Sequence, residues 1–291
     1  MVKKINSTIF INTASYYLIN FSDYFISFLI LPFLARTIKL EGLGLLGIVN
    51  SLGIVCLLLM EYGFSLSATR EIASNKNQKY LSKFIGKVFT AKLLLILPCA
   101  VISLISLLYI PVLKGNQLIV FLTFIISILN GFTPLWYFQG IQKIFPFAIL
   151  KVILRLITII PIFFIVRSVN DVWLILLLQS IYSFFICSIS MGWLFKKTQF
   201  SLSNIKGVKF IFKNGWHTFS LTIIPPLFTM FAFYWLSTKL SIGSMGLLNS
   251  ADRIFKALIS LFGPLGQAIY PYIISQFSSN QLNAIAQTKK A

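Results

Sequence analysis

Eight stretches of this chain, near residues 11–34, 42–62, 88–111, 117–138, 146–166, 172–195, 216–238 and 246–275, are apolar for long enough to cross a lipid bilayer. A helix rises about 1.5 Å per residue and the hydrocarbon core is about 30 Å thick, so roughly 20 residues suffice. No stretch has the two-residue alternation of a membrane β-barrel, and in lipid a helix satisfies its own backbone. The expected fold is therefore all-α, a polytopic helical membrane protein with about eight transmembrane helices. The first stretch is too long for a signal-peptide core, and no small-x-small cleavage site follows it, so it reads as a span.

Charge gives the orientation. The 291 residues hold 25 Lys and Arg against six Asp and Glu, a net charge of +19. In a soluble protein that balance would suggest nucleic acid. Here 57% of residues are hydrophobic and the mean hydropathy is +0.88, so nucleic acid is excluded as a partner and the charges read as a topology signal. With the N-terminus inside, the inner segments hold Lys3, Lys4, Arg70, Lys76, Lys79, Lys83, Lys87, Lys143, Lys196, Lys197, Lys206, Lys209, Lys213, Lys289 and Lys290. The outer loops hold only Arg36, Lys39, Lys114, Arg167 and Lys239. This bias places both termini in the cytoplasm. Trp136, Trp173, Trp193, Trp216 and Trp235 all fall near span ends, where an indole ring prefers the headgroup layer.

Soluble catalytic signatures are missing: no Walker loop, no GxGxxG and no Cys/His metal spacing. Cys56, Cys99 and Cys187 lie inside spans, too scattered in sequence for a disulfide framework, and read as small packing residues. The single histidine, His217, reads as interfacial, with proton coupling as the alternative. No cofactor is expected beyond an H+ or Na+ gradient, and no enzymatic activity.

A polar segment at 196–215 divides the chain into a six-helix lobe, residues 1–195, and the first two helices of a second lobe, residues 216–277, followed by a polar tail at 278–291. A weak internal repeat supports the division. Leu34-x3-Ile38-x4-Leu43-Gly44-Leu45-Leu46 recurs as Leu236-x3-Leu240-x4-Met245-Gly246-Leu247-Leu248, an offset of 202 residues. Such an offset implies a six-span unit repeated in one orientation, a common construction of secondary transporters.

Charges within spans mark candidate sites, because each costs about 2.5–3.5 kcal/mol to insert at the bilayer centre. Lys151 and Arg155 stand at i,i+4 on one face of the fifth span. The 16 Leu, Ile, Val and Phe residues of 145–166 contribute about −5 to −10 kcal/mol against about +5 to +7 for the two cations. Lys151 reads as an orientation signal or a substrate contact. Arg155, roughly 15 Å deep, reads as lining a hydrated cavity or joining a structural pair. Asp23, halfway along the first span, reads as a neutralising partner for a cation such as Arg155, or as a proton or sodium site. In the eighth span Asp252 stands four residues before Lys256 in the favourable acid-first order, with Arg253 between them. Glu61 reads as interfacial. Pro225-Pro226 in the seventh span and Gly263-Pro264 in the eighth read as helix interruptions, and so as hinge candidates.

Four stretches carry a family resemblance: Glu41-Gly-Leu-Gly-Leu-Leu-Gly47, Glu61-Tyr-Gly-Phe-Ser-Leu-Ser-Ala-Thr-Arg-Glu-Ile-Ala73, Pro134-Leu-Trp-Tyr-Phe-Gln-Gly140, and Ala251-Asp-Arg-Ile with Gln267-Ala-Ile-Tyr-Pro-Tyr272. With them the chain resembles the O-antigen and polysaccharide flippases (Wzx-like) of the multidrug/oligosaccharidyl-lipid/polysaccharide exporter superfamily. The resemblance implies two facing six-helix lobes, and carriage of an undecaprenyl-diphosphate-linked oligosaccharide, an O-antigen or capsule repeat unit, by alternating access. It also implies membrane lipids, a polysaccharide polymerase and a chain-length regulator as partners. Arg155, Lys151, Arg253 and Lys256 are then candidate contacts for the diphosphate or sugar, and Asp23 and Asp252 candidate ion-coupling residues. Family members usually have about twelve spans, so a C-terminally truncated chain is expected, with a non-transporting remnant or assembly scaffold as one alternative. A drug or cation antiporter is the other, and the excess of intramembrane cations weighs against it.

Overall fold

The computed structural model describes residues 2–199, 202–203 and 205–259. Every regular element among them is helical. Helix α1 (Val2–Asn20) passes through a π-helical turn at Phe21–Phe25 into α2 (Ile26–Thr37). Then come α3 (Lys39–Glu61), α4 (Phe64–Ser74), α5 (Gln78–Tyr109), α6 (Gln117–Phe132), α7 (Leu135–Gly140), α8 (Phe145–Ile165), α9 (Val172–Lys197), α10 (Ile205–Ser237) and α11 (Ile242–Ile259). The chain is an all-α, multi-pass membrane protein.

Six helical units among the described residues are long and apolar enough to cross a membrane: Lys39–Ser74, Gln78–Tyr109, Gln117–Gly140, Phe145–Ile165, Val169–Lys197 and Gly215–Ser237. The expected first span has only a short apolar portion, Phe28–Thr37. Its polar residues are turned inward, with Asn12, Ser15 and Ser22 buried, so the helix hides from lipid what lowers its hydropathy. The eighth expected span is described as far as Ile259, and Gly263 and Pro264 lie outside the described residues.

Helix α3 is apolar over most of its surface and forms the centre of the molecule, with Leu43, Leu46, Ile48, Val49 and Leu52 fully buried. It packs against α2, α5, α6, α10 and α11. Its turn into α4 uses Tyr62 at φ 43° and Gly63 at φ 72°, both left-handed. A Cβ at Gly63 would also meet the amide nitrogen of Phe219 at 2.9 Å, so glycine serves both the turn and the close approach of α10. Tyr62 then stacks on Phe219 with ring centroids 4.3 Å apart and meets Phe212 edge-on at 4.7 Å.

At its other end α3 crosses α11 through glycines. A Cβ at Gly44 would lie 2.1 Å from the Ile242 carbonyl oxygen, and one at Gly246 would lie 2.0 Å from the Leu40 carbonyl oxygen. Positions 44 and 246, like 40 and 242, differ by 202, so the two approaches are reciprocal across a local two-fold relation between α3 and α11. Gly47 and Asn249, separated by the same 202, face each other: a Cβ at Gly47 would meet that of Asn249 at 2.8 Å. The buried Asn249 side chain donates to the Leu43 carbonyl at 2.7 Å, tying the two helices by a hydrogen bond away from water.

Several expectations change. Trp136 is buried against Phe89, and Trp193 packs on Phe138, because the short helix α7 folds under the bundle. Only Trp173, Trp216 and Trp235 are exposed near span ends. Cys56 and Cys99, far apart in sequence, are neighbours where α3 meets α5; the Cys99 thiol reaches the Cys56 carbonyl at 3.4 Å, and both are free thiols. Helix α10 begins at Ile205, so much of the segment expected as a loop is helical, with Val208 and Ile211 buried on one side and Lys209 and Lys213 exposed on the other. It also runs unbroken through Pro225 and Pro226, whereas the departure from α-helical geometry occurs at Phe21–Phe25.

The glycine seam is testable. Gly246→Ala forces a Cβ onto backbone, and overpacking of this kind costs about 1–3 kcal/mol or more. Gly243→Ala, one turn away, meets nothing nearer than 3.9 Å. Thermal unfolding of the purified protein should show a clear drop in midpoint for the first variant and little change for the second.

Candidate functional site

A cavity of about 500 Å³ lies between α3, α6, α8 and α9 on one side and α10 and α11 on the other. Each helix contributes one face at helical spacing: Gly47, Asn50, Ile54, Leu57 and Glu61 from α3, Phe147, Lys151 and Arg155 from α8, and Asn249, Asp252, Arg253 and Lys256 from α11. Helix α9 adds Gln179, Tyr182, Ser183 and Ile186, and α6 adds Thr123, Ser127 and Asn130. The lining runs from the glycine seam to the last residue of α3, a length of about 20 Å. At the seam end the two helix backbones touch and the cavity narrows to Gly47 and Asn249.

All six charged candidates read from the sequence line this one cavity: Asp23, Lys151, Arg155, Asp252, Arg253 and Lys256. They come from three separate elements, the π turn, α8 and α11. The π turn carries Asp23, and its carboxylate accepts from the Lys151 ammonium of α8 at 2.5 Å. A π turn inserts an extra residue into the helical ladder and is often found at functional positions. Arg155, one turn deeper than Lys151, places its guanidinium over the Tyr182 ring at 5.3 Å. On α11 the expected pair forms, with the Lys256 ammonium donating to Asp252 at 2.6 Å. Arg155 and Arg253 also share the wall of an adjoining small cavity of about 30 Å³, with Gln179 and Thr158. Two guanidiniums from opposite walls thus converge on one region.

The remaining proline candidates, Pro225 and Pro226, lie in α10 one turn before the cavity residue Thr229. Reading the sequence missed two lining residues, Glu61 and Asn249, and a buried cation outside the cavity, Lys92. Glu61, expected at the interface, lines the cavity at the C-terminal end of α3, where the helix dipole opposes a negative charge. Its spacing with Asn50 and Leu57 on one helical face was the available signal. Lys92 is fully buried on α5, donates to the Gly131 carbonyl in the last turn of α6, and sits over the Phe64 ring at 5.6 Å. It supplies the cation that the carbonyl end of α6 favours. Asn249 stands at the narrow end of the cavity, and no hydropathy pattern distinguishes it from its neighbours.

Four basic and three acidic side chains therefore line a space surrounded by apolar helices. Two acids are held in ion pairs, so the wall presents a cationic surface with amide and hydroxyl groups beside it. Such a wall offers charge-assisted hydrogen bonds to a phosphate and neutral ones to sugar hydroxyls. No group of three or more His, Cys, Asp or Glu residues able to hold a metal ion occurs among the described residues.

Comparison with known proteins gives consistent relatives. The chain is 29% identical over 280 residues to a candidate O-antigen transporter of Escherichia coli (strain K12), covering 93% of this chain and 66% of that one. It is 27% identical over 267 residues to a protein of the same description from Shigella dysenteriae, covering 89% of this chain and 66% of the relative. The chain thus spans just under two thirds of the length of these curated relatives. A solved structure named protein A shares the fold with a TM-score of 0.58 at 16% identity, over 99% of this chain and 68% of that one. The family model described as polysaccharide biosynthesis protein matches residues 9–277, nearly the whole cavity-forming bundle, and the chain belongs to that family.

Proposed function

We propose that this chain works as a flippase, carrying an undecaprenyl-diphosphate-linked oligosaccharide, an O-antigen or capsule repeat unit, across the cytoplasmic membrane by alternating access. The observation that carries the reading is the convergence of Arg155 and Arg253 on one membrane-enclosed cavity. A diphosphate needs cations and strong donors to leave the headgroup layer. A guanidinium offers a planar fork of N–H groups that matches phosphate oxygens. The sugars need amides and hydroxyls, which α6 and α9 place alongside. The lipid tail needs no protein path, because it can stay in the bilayer.

With the termini in the cytoplasm, the end of the cavity at Glu61 faces inward and the glycine seam lies toward the outer surface. The cavity is then loaded from the cytoplasm and closed on the other side. Transport proceeds when the seam parts, with α10 bending near Pro225 and Pro226 as the two groups of helices rock. Lys151 and Lys256 contribute positive potential, and their ion pairs with Asp23 and Asp252 lower the cost of keeping charge within the membrane. An H+ or Na+ gradient drives the cycle through Asp23 or Asp252: protonating either acid releases its lysine toward the phosphates. The released sugar-lipid is passed to a polymerase working with a chain-length regulator, and the flippase itself makes and breaks no covalent bond.

Complementation tests this reading. The chain is expressed in a strain lacking its own polysaccharide flippase but supplied with the native sugar pathway, and surface polymer is stained. Restored polymer is expected. Arg155→Ala and Arg253→Ala, at matched protein levels, should each lower lipid-linked-sugar transport in liposomes by about ten- to a hundredfold, the scale of one lost charge-assisted hydrogen bond. Unchanged transport in both would remove the arginines from the headgroup site.

The coupling role separates from a structural one by a second comparison. Asp23→Asn should abolish the dependence of transport on a pH or sodium gradient. The paired variant Asp23→Asn, Lys151→Gln should keep the protein folded without restoring that dependence. Restoration in the paired variant would mean that Asp23 only neutralises Lys151.

A further inference from the structure

Helices α5 and α10 run side by side in the same direction and share a feature that transport does not use. Near their starts the Lys87 ammonium sits over the Phe210 ring at 5.2 Å, and the Ser203 amide donates to the Thr90 hydroxyl at 2.9 Å. Near their far ends Tyr234 of α10 lies beside Ser106 of α5. The two helices therefore stay together along most of their length, and the cavity takes no lining from α5.

The outer faces of both helices change character at the same level. On α5 the face reads Leu94, Leu97, Val101 and Leu104, all exposed, with Leu97 at 73%. On α10 it reads Ile224, Phe228 and Phe231, with Phe228 at 76%. Continued toward the helix starts, the same faces carry Lys79, Lys83 and Lys87 on α5 and Lys209 and Lys213 on α10. Both helices exceed 30 residues, so each is roughly 50 Å long and projects beyond a hydrocarbon core of about 30 Å. The lysines lie on the projecting parts, and Trp216 marks the boundary with an exposed indole.

The charge on this surface is mostly of one sign, five lysines against one nearby acid. Glu71, an acid on the neighbouring helix α4, is taken up by the Tyr80 hydroxyl and the Asn75 amide. No Asp or Glu occurs between residues 72 and 170, or between 172 and 251. An apolar face of acyl-chain length that ends in five lysines is the complement of one kind of molecule.

We propose that the α5–α10 face is a binding site for an anionic phospholipid, with its phosphates among Lys83, Lys87 and Lys209 and its acyl chains along the exposed apolar side chains of the two helices. Clustered lysines just beyond a membrane helix attract anionic headgroups, and basic recesses between helices favour headgroups with more than one phosphate. The committed occupant is therefore a diphosphatidylglycerol-type lipid, ahead of lipids with a single phosphate. This site is separate from the cavity and does not rest on the transport reading.

The test uses the purified full chain in detergent, titrated with tetraoleoyl cardiolipin, with phosphatidylglycerol and with phosphatidylcholine, and read by native mass spectrometry. Cardiolipin should be retained most strongly. The triple variant Lys83→Gln, Lys87→Gln, Lys209→Gln should weaken its retention by about tenfold or more. The triple variant Lys143→Gln, Lys196→Gln, Lys197→Gln removes as many charges elsewhere and should change it little. Replacement of the three site lysines by arginine should preserve retention, which separates loss of charge from loss of fold. Equal losses in the two glutamine variants would mean diffuse attraction and overturn the site. Equally strong binding of inorganic pyrophosphate, competing with cardiolipin, would overturn the lipid assignment in favour of a headgroup-only anion site.

Discussion

The approach of the α3 and α11 backbones at Gly44 and Gly246 fixes the rest of the molecule. A Cβ at either glycine would fall on the partner backbone, so the two helices come this close only where both lack one. Beyond the seam the space between them opens into the cavity. Small residues allow this approach because helix association in a bilayer gains little from the hydrophobic effect and depends on close packing and interhelical hydrogen bonds. Asn249 supplies such a bond at the point of divergence. The opposite end of α3 is held against α10 instead, by different chemistry, the Tyr62 ring stacked on Phe219. One contact is backbone against backbone and the other is ring against ring, so they differ in how much displacement each tolerates.

Charge within the membrane follows the same division. An isolated ion in this setting is expensive, and the protein distributes seven charged side chains around one polar space. Asp23 reaches Lys151 between elements far apart in sequence, whereas Asp252 and Lys256 are a local pair on one helix. Movement of α1 against α8 would break the first pair and leave the second intact. That asymmetry makes Asp23 the better placed of the two acids to sense relative movement of helices. Lys92 behaves differently again. It lies outside the cavity, at the carbonyl end of α6, and its hydrogen bond to Gly131 steadies the break before α7.

Hydropathy alone was enough for the helical class and for most spans, because a bilayer imposes one length and one backbone solution. The charged lining was legible for a related reason: a cation within an apolar run has so high a cost that its presence asks for a polar surrounding, and Arg155 and Arg253 could be singled out on that ground. The pairing of Asp23 with Lys151 was not legible, since nothing in either segment specifies its neighbour across space. Glu61 was misread because the end of a helix can face lipid headgroups or a cavity at the same depth. Lys92 was passed over for the reverse reason, a buried cation satisfied by a carbonyl that every residue carries. The proline pair was expected to break α10, yet the helix continues, while the π turn around Asp23 had no Gly or Pro to announce it. A repeat of a few residues was visible as an offset of 202, but the reciprocal meeting of its glycines depends on how the helices cross.

The cavity and the lysine-bearing face stand on different sides of α10, and this gives that helix a particular position in the molecule. Its inner face carries Phe233 and Thr229 against the cavity, and its outer face carries the exposed Phe228 and Phe231. At its start it is tied to α5 and, through Tyr62, to the end of α3. A helix held at one end by a cation–ring contact and an aromatic stack, and containing two adjacent prolines past its middle, bends most easily between those points, because each proline removes a backbone donor from the ladder. Phospholipid bound along the proposed α5–α10 face would add a load on the outer face of the same helix. The lipid would then favour whichever arrangement keeps α10 beside α5.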